Sequence, residues 1–386
     1  MNTVGLWIER EPATGAPDTL QATVHVNLWK LQKKYFASLW KDLITYGKKR
    51  KWQYFSTLLK DFASITYEKR TDYFLDIGIK LLSLNDIKKI NIYLPFEIEK
   101  NAITDLGEVF QKDTNLVNAL FNEDYRVETY PNSKKIGISD KDGEKQSNIY
   151  CLDIANDITT SKGYNGCIIS LNTLQITDER DEPYYFRIRI KSNSIKNFSR
   201  IYKPKNSFFE SAFTNTEVVD FRINETRSLN KSLLELIRNN IPKLEELQFF
   251  LLRSAKDEFL FSDKELHSCR ELERDIWAQY LPLEKYHADK VLAYHWKKKS
   301  GQTDVNSFKS LVKMKFEKNN LRTILTYLFV LSAIAISLNI ASAHLDKKIW
   351  PLAKAQHPIQ SQNLGTQKSA LGKKVKSNTL IKKSGK

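Results

Sequence analysis

Between Thr323 and Ala343 the chain reads TILTYLFVLSAIAISLNIASA, 21 residues without a charge, closed off by Arg322 on one side and by Asp346, Lys347 and Lys348 on the other. At 1.5 Å per residue, a helix of this length covers about 30 Å, the thickness of a bilayer's hydrocarbon core. A buried helix of a globular protein seldom runs so far without a charged side chain. Elsewhere the hydrophobicity is ordinary, with a mean hydropathy of −0.46 for the whole chain. The sequence therefore predicts a large body that folds in water, followed by one C-terminal transmembrane helix.

Lys309, Lys313, Lys315, Lys318 and Arg322 crowd the N-terminal flank of this segment, against Lys347, Lys348 and Lys354 after it. Positive residues favour the cytoplasmic side, so the expected placement is single-pass in the inner membrane with the large domain cytoplasmic. The opening stretch MNTVGLWIEREPATGAPDTL has neither a basic start nor an apolar core, so a cleavable signal peptide is not expected there. Ser332, Ala335, Asn339 and Ser342 recur at i, i+3, i+7 and i+10 and share one stripe of the helix. Leu328, Phe329, Leu331, Ile334, Ile336, Leu338 and Ile340 cover most of the rest. An asparagine at membrane depth finds a partner helix or water, and small residues let helix backbones approach. The stripe thus predicts a homo-oligomer, in which it either lines a narrow pore or makes a plain helix contact.

The body reads as α+β: N-terminal helices plus an antiparallel β-rich soluble region. A flexible, poorly ordered lead-in is expected at 1–21, where Gly5, Pro12, Gly15 and Pro17 fall. A helical and mixed lobe follows at 22–130, with Leu28, Leu31, Tyr35, Leu39 and Leu43 at helical spacing in a stretch from about Trp29 to Tyr67, hinged near Gly47. Helices are also expected at Ala102–Gln111, Asn115–Phe121, Ser228–Asn239 and Asp263–Tyr280. Runs such as DYFLDIGIKLLS, KKINIYLPFEI, YYFRIRIKS and VVDFRIN alternate with Asn, Asp and Gly turns and read as strands. The β-rich lobe spans 131–286, a basic and partly helical neck 287–322, and a lysine-rich tail 344–386.

The net charge is +16. The last 43 residues hold ten lysines against Asp346, a local +9, which leaves 16 − 9 = +7 for the rest. Such an excess favours phosphates of nucleic acid or of anionic lipid, and equally suits a solvated lysine-rich surface. Cys151, Cys167 and Cys269 lack metal or disulfide spacing. The densest cationic segment runs from Arg187 to Lys205. Arg187, Arg189, Lys191, Lys196, Arg200 and Lys203 are the candidate phosphate-binding residues, with Tyr184, Phe186 and Tyr202 as stacking partners. On a strand, Arg187, Arg189 and Lys191 share one face while Ile188 and Ile190 share the other. The turn Gly163-Tyr164-Asn165-Gly166 could bring backbone N–H groups to a phosphate, or simply close a hairpin.

The sequence contains no nucleophile elbow, Walker loop, GxGxxG fingerprint or His-Glu-x-x-His motif. Glu97 and Glu99 before Lys100, with Asp72 and Asp76 upstream, resemble the carboxylate set of a Mg²⁺-dependent nuclease. His267 with Cys269 is too sparse for zinc. The sequence therefore gives no positive evidence of catalysis, of a metal or of a cofactor.

The span Thr323–Ala343, its polar stripe and the basic strand at Arg187 together give a layout that resembles the membrane effectors of bacterial antiphage defence. Those proteins couple a cytosolic ligand-sensing domain to a small membrane part that depolarises the cell. The resemblance implies an oligomeric effector whose cytoplasmic domain senses a nucleotide or single-stranded oligonucleotide and controls a permeabilising helix assembly. The alternatives are a membrane-anchored scaffold, or a membrane-tethered nuclease using Glu97 and Glu99.

Overall fold

The computed structural model describes residues 2–11, 20–33, 71–130, 133–202, 214–286, 290–300, 306–317 and 321–355. They form a β-rich body, Met1–Thr323, and a separate unit, Ile324–Lys386.

The body is built on a ten-stranded mixed sheet. Its middle consists of β2 (Gln21–Gln32), β3 (Thr71–Leu81) and β11 (Tyr184–Lys191), with β5 (Ile103–Asp105) also paired to β11. Outward from β2 lie β14 (Lys243–Ser254), β17 (Val291–Lys299) and β16 (Ser268–Glu271); outward from β11 lie β8 (Lys145–Tyr150), β7 (Lys135–Ser139) and β6 (Arg126–Thr129). A four-stranded sheet is ordered β1 (Gly5–Arg10), β4 (Ile87–Leu94), β10 (Gly166–Asn172) and β9 (Ile158–Gly163). Another is ordered β12 (Ser199–Tyr202), β13 (Thr214–Ile223), β18 (Phe308–Glu317) and β15 (Glu258–Ser262). Most pairings are antiparallel, as expected, but β14 with β2 and β11 with β8 run parallel.

Alternation decides which side each strand turns to the core. Val24, Val26 and Leu28 of β2, Leu75, Ile77 and Ile79 of β3, and Ile188 and Ile190 of β11 fill one face of the large sheet. That face packs on both small sheets, through Leu6, Ile8, Ile90 and Ile92 on one and Val219, Phe221 and Val312 on the other. Phe221 stacks on Phe249 of β14 with ring centroids 4.7 Å apart. Asn224 stitches the two small sheets together, accepting from Leu6 N at 2.7 Å and donating to Leu6 O at 3.1 Å.

The opposite face of the large sheet is covered by short helices: α1 (Gly107–Lys112), α2 (Asn115–Phe121) and α5 (Arg274–Trp277). Helix α3 (Ile154–Asp157) leads into β9. Helix α4 (Lys231–Ile237) starts at Asn230, whose side chain accepts from Ser232 N, and packs Leu233 and Ile237 against Trp7 and Tyr93.

Several expectations are corrected. N-terminal helices are not supported: Leu28, Trp29 and Leu31 belong to β2, which is buried on both faces. The Leu28/Leu31 spacing therefore reflects a strand covered on two sides rather than a helix stripe. The remainder of that expected helical stretch, 34–67, lies outside the described residues. The lead-in contains β1, the segment 263–280 holds β16 and only the four-residue α5, and the described residues of the neck carry β17 and β18. Strands from both expected lobes share the ten-stranded sheet.

The second unit carries α6 (Leu321–Ala355), a 35-residue helix. Its window Leu328–Leu345 is long and apolar enough to cross a membrane, and its side chains have no protein cover.

Candidate anion-binding face

Strand β11 is not the open cationic face that its alternation suggested. The parity is as expected, with Arg187, Arg189 and Lys191 on one side, but β11 lies mid-sheet and that side is roofed by helices. Arg187 is 0% exposed; its Nε donates to Tyr280 Oη at 2.8 Å and its Nη1 to Tyr185 Oη at 2.7 Å. Arg189 is held by Asp76 and by the Tyr280 carbonyl. Burial pushes the Asp76 carboxyl up, but the Arg189 guanidinium beside it outweighs this and holds it below the usual carboxylate range. Lys191 reaches the rim and pairs with Asp72 at 3.3 Å. Tyr184 and Phe186 are buried in the opposite core and cannot stack on a base. A strand covered on both faces tolerates an arginine only with partners supplied, and here Asp76, Tyr185 and Tyr280 supply them.

The exposed cations lie instead on the outer side of the sheet β12-β13-β18-β15. Strand β18 alternates FKSLVKMKFE, so Phe308, Val312, Met314 and Phe316 turn inward while Lys309, Lys313 and Lys315 turn outward. Register sets the neighbours: Arg200 pairs with Val218, Val218 with Lys313, and Lys313 with Phe261. One step along, Tyr202 pairs with Thr216, Thr216 with Lys315, and Lys315 with Glu258, the last two joined by an ion pair at 3.3 Å. Lys309 and Lys313 have no carboxylate partner among the described residues. Of the expected ligand-binding residues, only Arg200 and Tyr202 fall on this face. Lys196 is exposed on the turn Asn193–Phe198 just before it, and Lys203 lies outside the described residues.

Behind this face the sheet is anchored by charge. Glu217 of β13 points inward, with Oε2 2.5 Å from Lys30 Nζ of β2 and 3.4 Å from Arg253 Nη2 of β14. Burial opposes its ionisation, but Arg253 and Lys30 bring Glu217 down to about 2. Asp257, pushed up to about 6 by burial, sits in the same field.

Other sequence candidates resolve differently. Gly163–Gly166 is a tight hairpin with Tyr164 and Asn165 at φ 55° and 63°, the left-handed pair of a two-residue β-turn. Glu97 pairs with Lys162 at 2.6 Å on the surface, while Asp72 and Asp76 are committed under the helices. These carboxylates are not gathered, and among the described residues no group of three His, Cys, Asp or Glu side chains could hold a metal. His267 meets His295 edge-on, with centroids 4.9 Å apart. An open hollow of about 650 Å³ between α2 and α5 is lined by Asp113, Glu123, Asp124, Glu273 and Asp275, and its Arg270 is spent on Ala119 O and Asn122 Oδ1. That sign of charge repels an anion. Ser332, Ala335, Asn339 and Ser342 are exposed along α6.

Sequence reasoning missed Lys309, Lys313 and Phe261 as members of a surface. The signal in the sequence is the period-2 alternation of Lys309, Lys313 and Lys315 along β18, which flank charge alone does not capture. Compared with known proteins, the chain matches no protein family and no curated sequence.

Proposed function

We propose that this chain is a single-pass membrane effector of the inner membrane. In this reading α6 crosses the bilayer, and copies associate through Ser332, Ala335, Asn339 and Ser342. The cytoplasmic β body binds a phosphate-bearing anionic ligand on the outer side of its β12-β13-β18-β15 sheet and biases the helix assembly toward a permeabilising state. The observation that carries the reading is continuity: β18, which bears Lys309, Lys313 and Lys315, leads after residues 318–320 directly into α6. An anion drawn to that strand acts on the element joined to the helix. Gating also requires that the ligand favour one state, because equal binding to both shifts nothing.

The test is dye release from liposomes holding the full chain, made with or without anionic lipid and with nucleoside triphosphates or short oligonucleotides added. Release that rises with ligand and is lost on Asn339→Leu supports the effector. Intact vesicles under every ligand, with the protein monomeric in detergent, leave a membrane-anchored scaffold as the better reading.

A further inference from the structure

The outer side of the β12-β13-β18-β15 sheet combines two properties that seldom coincide on a water-facing sheet. It has cations without carboxylate partners, and it has large apolar side chains held in the open. Arg200, Lys309 and Lys313 are exposed with no ion pair among the described residues. Tyr202 is 53% exposed, Phe261 52% and Leu260 41%, all on the two edge strands β12 and β15. Lys309 and Lys313 therefore lie along the inner strand β18, with Arg200 and Tyr202 on edge strand β12 and Phe261 on edge strand β15, while the carboxylates of Asp220 and Glu258 on this side pair with Arg222 and Lys315. A solvated edge kept safe by lysines has no use for that flanking.

We infer that this face docks on the headgroup layer of an anionic leaflet, so that the phosphate-bearing ligand of the β body is the lipid surface itself. The inference rests on the reading of α6 as a membrane span. Chain length brings the two within reach. Three residues, 318–320, separate Glu317 from Leu321, and seven helical residues precede the apolar window at Leu328. Chain length alone thus keeps the end of β18 within roughly 25 Å of the hydrocarbon. Lys313, with its neighbours Arg200 and Phe261, lies four residues from that end of the strand, and Lys309 a further four residues along it.

The side-chain chemistry favours lipid over nucleic acid. Lysine is a compact, strongly hydrated point charge suited to a diffuse layer of phosphates, whereas discrete phosphates and base edges are read by the arginine fork. Leu260 is aliphatic and offers no ring for a base to stack on, but it gains by entering the interface, where tyrosine and phenylalanine also settle. The Glu217, Lys30 and Arg253 cluster ties β13 to β2 and β14, so the face meets the membrane as a rigid platform.

The experiment places the full chain in nanodiscs of phosphatidylcholine alone or of phosphatidylcholine with phosphatidylglycerol. Lysine acetylation and hydroxyl-radical oxidation are then read by mass spectrometry. Docking predicts several-fold slower labelling of Lys309 and Lys313, and protection of Tyr202 and Phe261, in the anionic discs only. High salt should reverse both, while Lys112 of α1 labels equally in the two discs. A Lys309→Gln/Lys313→Gln variant with unchanged circular dichroism should lose the protection of Tyr202 and Phe261. Equal labelling in both lipids, with α6 resistant to carbonate extraction, overturns the docking while leaving the span intact. Release of the protein by carbonate overturns the span and the docking together. Protection of the face by added oligonucleotide in phosphatidylcholine discs, with none from phosphatidylglycerol, assigns it to a soluble ligand and also overturns the docking.

Discussion

Arg189 grips Asp76 at two points, Nε to Oδ1 at 2.7 Å and Nη2 to Oδ2 at 2.9 Å, with both side chains buried between the large sheet and its helical cover. Asp76 Oδ2 also accepts from Trp29 Nε1 at 2.8 Å and Tyr280 Oη at 2.7 Å. One carboxylate thus faces two buried guanidinium groups, since Arg187 contacts only phenol oxygens. Removing it strands both cations. Asp76→Asn is expected to cost about 3–5 kcal/mol in urea unfolding. The double change Asp76→Leu/Arg189→Met should lose less than the sum of the two single changes, because it removes the charge as well as its partner.

Gly78 stands opposite Arg187 in the β3–β11 register, and a Cβ there would lie 2.0 Å from Tyr185 Oη and 3.0 Å from Arg187 Nη1. Gly78→Ala therefore expels the Tyr185 hydroxyl and breaks its bond to Arg187. A loss of about 1–3 kcal/mol is expected. Truncating the obstacle tests the cause: Tyr185→Leu, which removes both the Oη and the Cζ that the Cβ would meet at 2.0 and 2.6 Å, should regain part of the loss in the same background in thermal melts, whereas Tyr185→Leu alone should be destabilising.

How much of this was legible depended on whether each strand is covered on one face or two. Strands such as VVDFRIN read correctly because their alternation maps onto one buried and one open side, and β13 is buried at every second residue. Strand β11 gave the right parity and the wrong environment. Arg187 and Arg189 look solvent-facing until α5 and the Tyr280 that follows it, some 90 residues later, supply the roof. In β2, apolar residues on both sides blurred period 2 into an apparent helix stripe. The lysine alternation of β18 was equally plain in the sequence, but proximity to the apolar segment drew it into a charge count.

Asp105 offers a pH test. Its Oδ2 accepts from Glu108 N at 3.0 Å, while its Oδ1 is buried without a partner. Burial pushes it up to about 7, against 3.8 when free. Between those values the folded chain holds a proton that the unfolded chain has released, so stability falls as pH rises through this window and levels off above it. The slope for one group cannot exceed about 1.4 kcal/mol per pH unit. Asp105→Asn keeps an acceptor for Glu108 N and carries no charge at any pH. It should flatten the dependence measured by chemical unfolding at a series of pH values, and be more stable than the parent at pH 8. An unchanged slope would place the titrating group elsewhere.

Asn339 is the most polar side chain between Leu328 and Ala343, and it shares a stripe with Ser332, Ala335 and Ser342. If the stripe is the association surface, Asn339→Leu removes an interhelical hydrogen bond, which in lipid is worth about 0.6–2 kcal/mol. Association in detergent, read by cross-linking or sedimentation, should weaken roughly three- to thirty-fold. Ile334→Leu, on the opposite side of the helix from the stripe and close in volume, serves as the control and should change little. Widening the stripe is the sharper version: Ala335→Leu keeps the helix apolar and long enough to span, but props the backbones apart. A monomer from Ala335→Leu, with membrane insertion intact, separates self-association from anchoring. Equal association in all three variants would instead leave α6 as a tether alone.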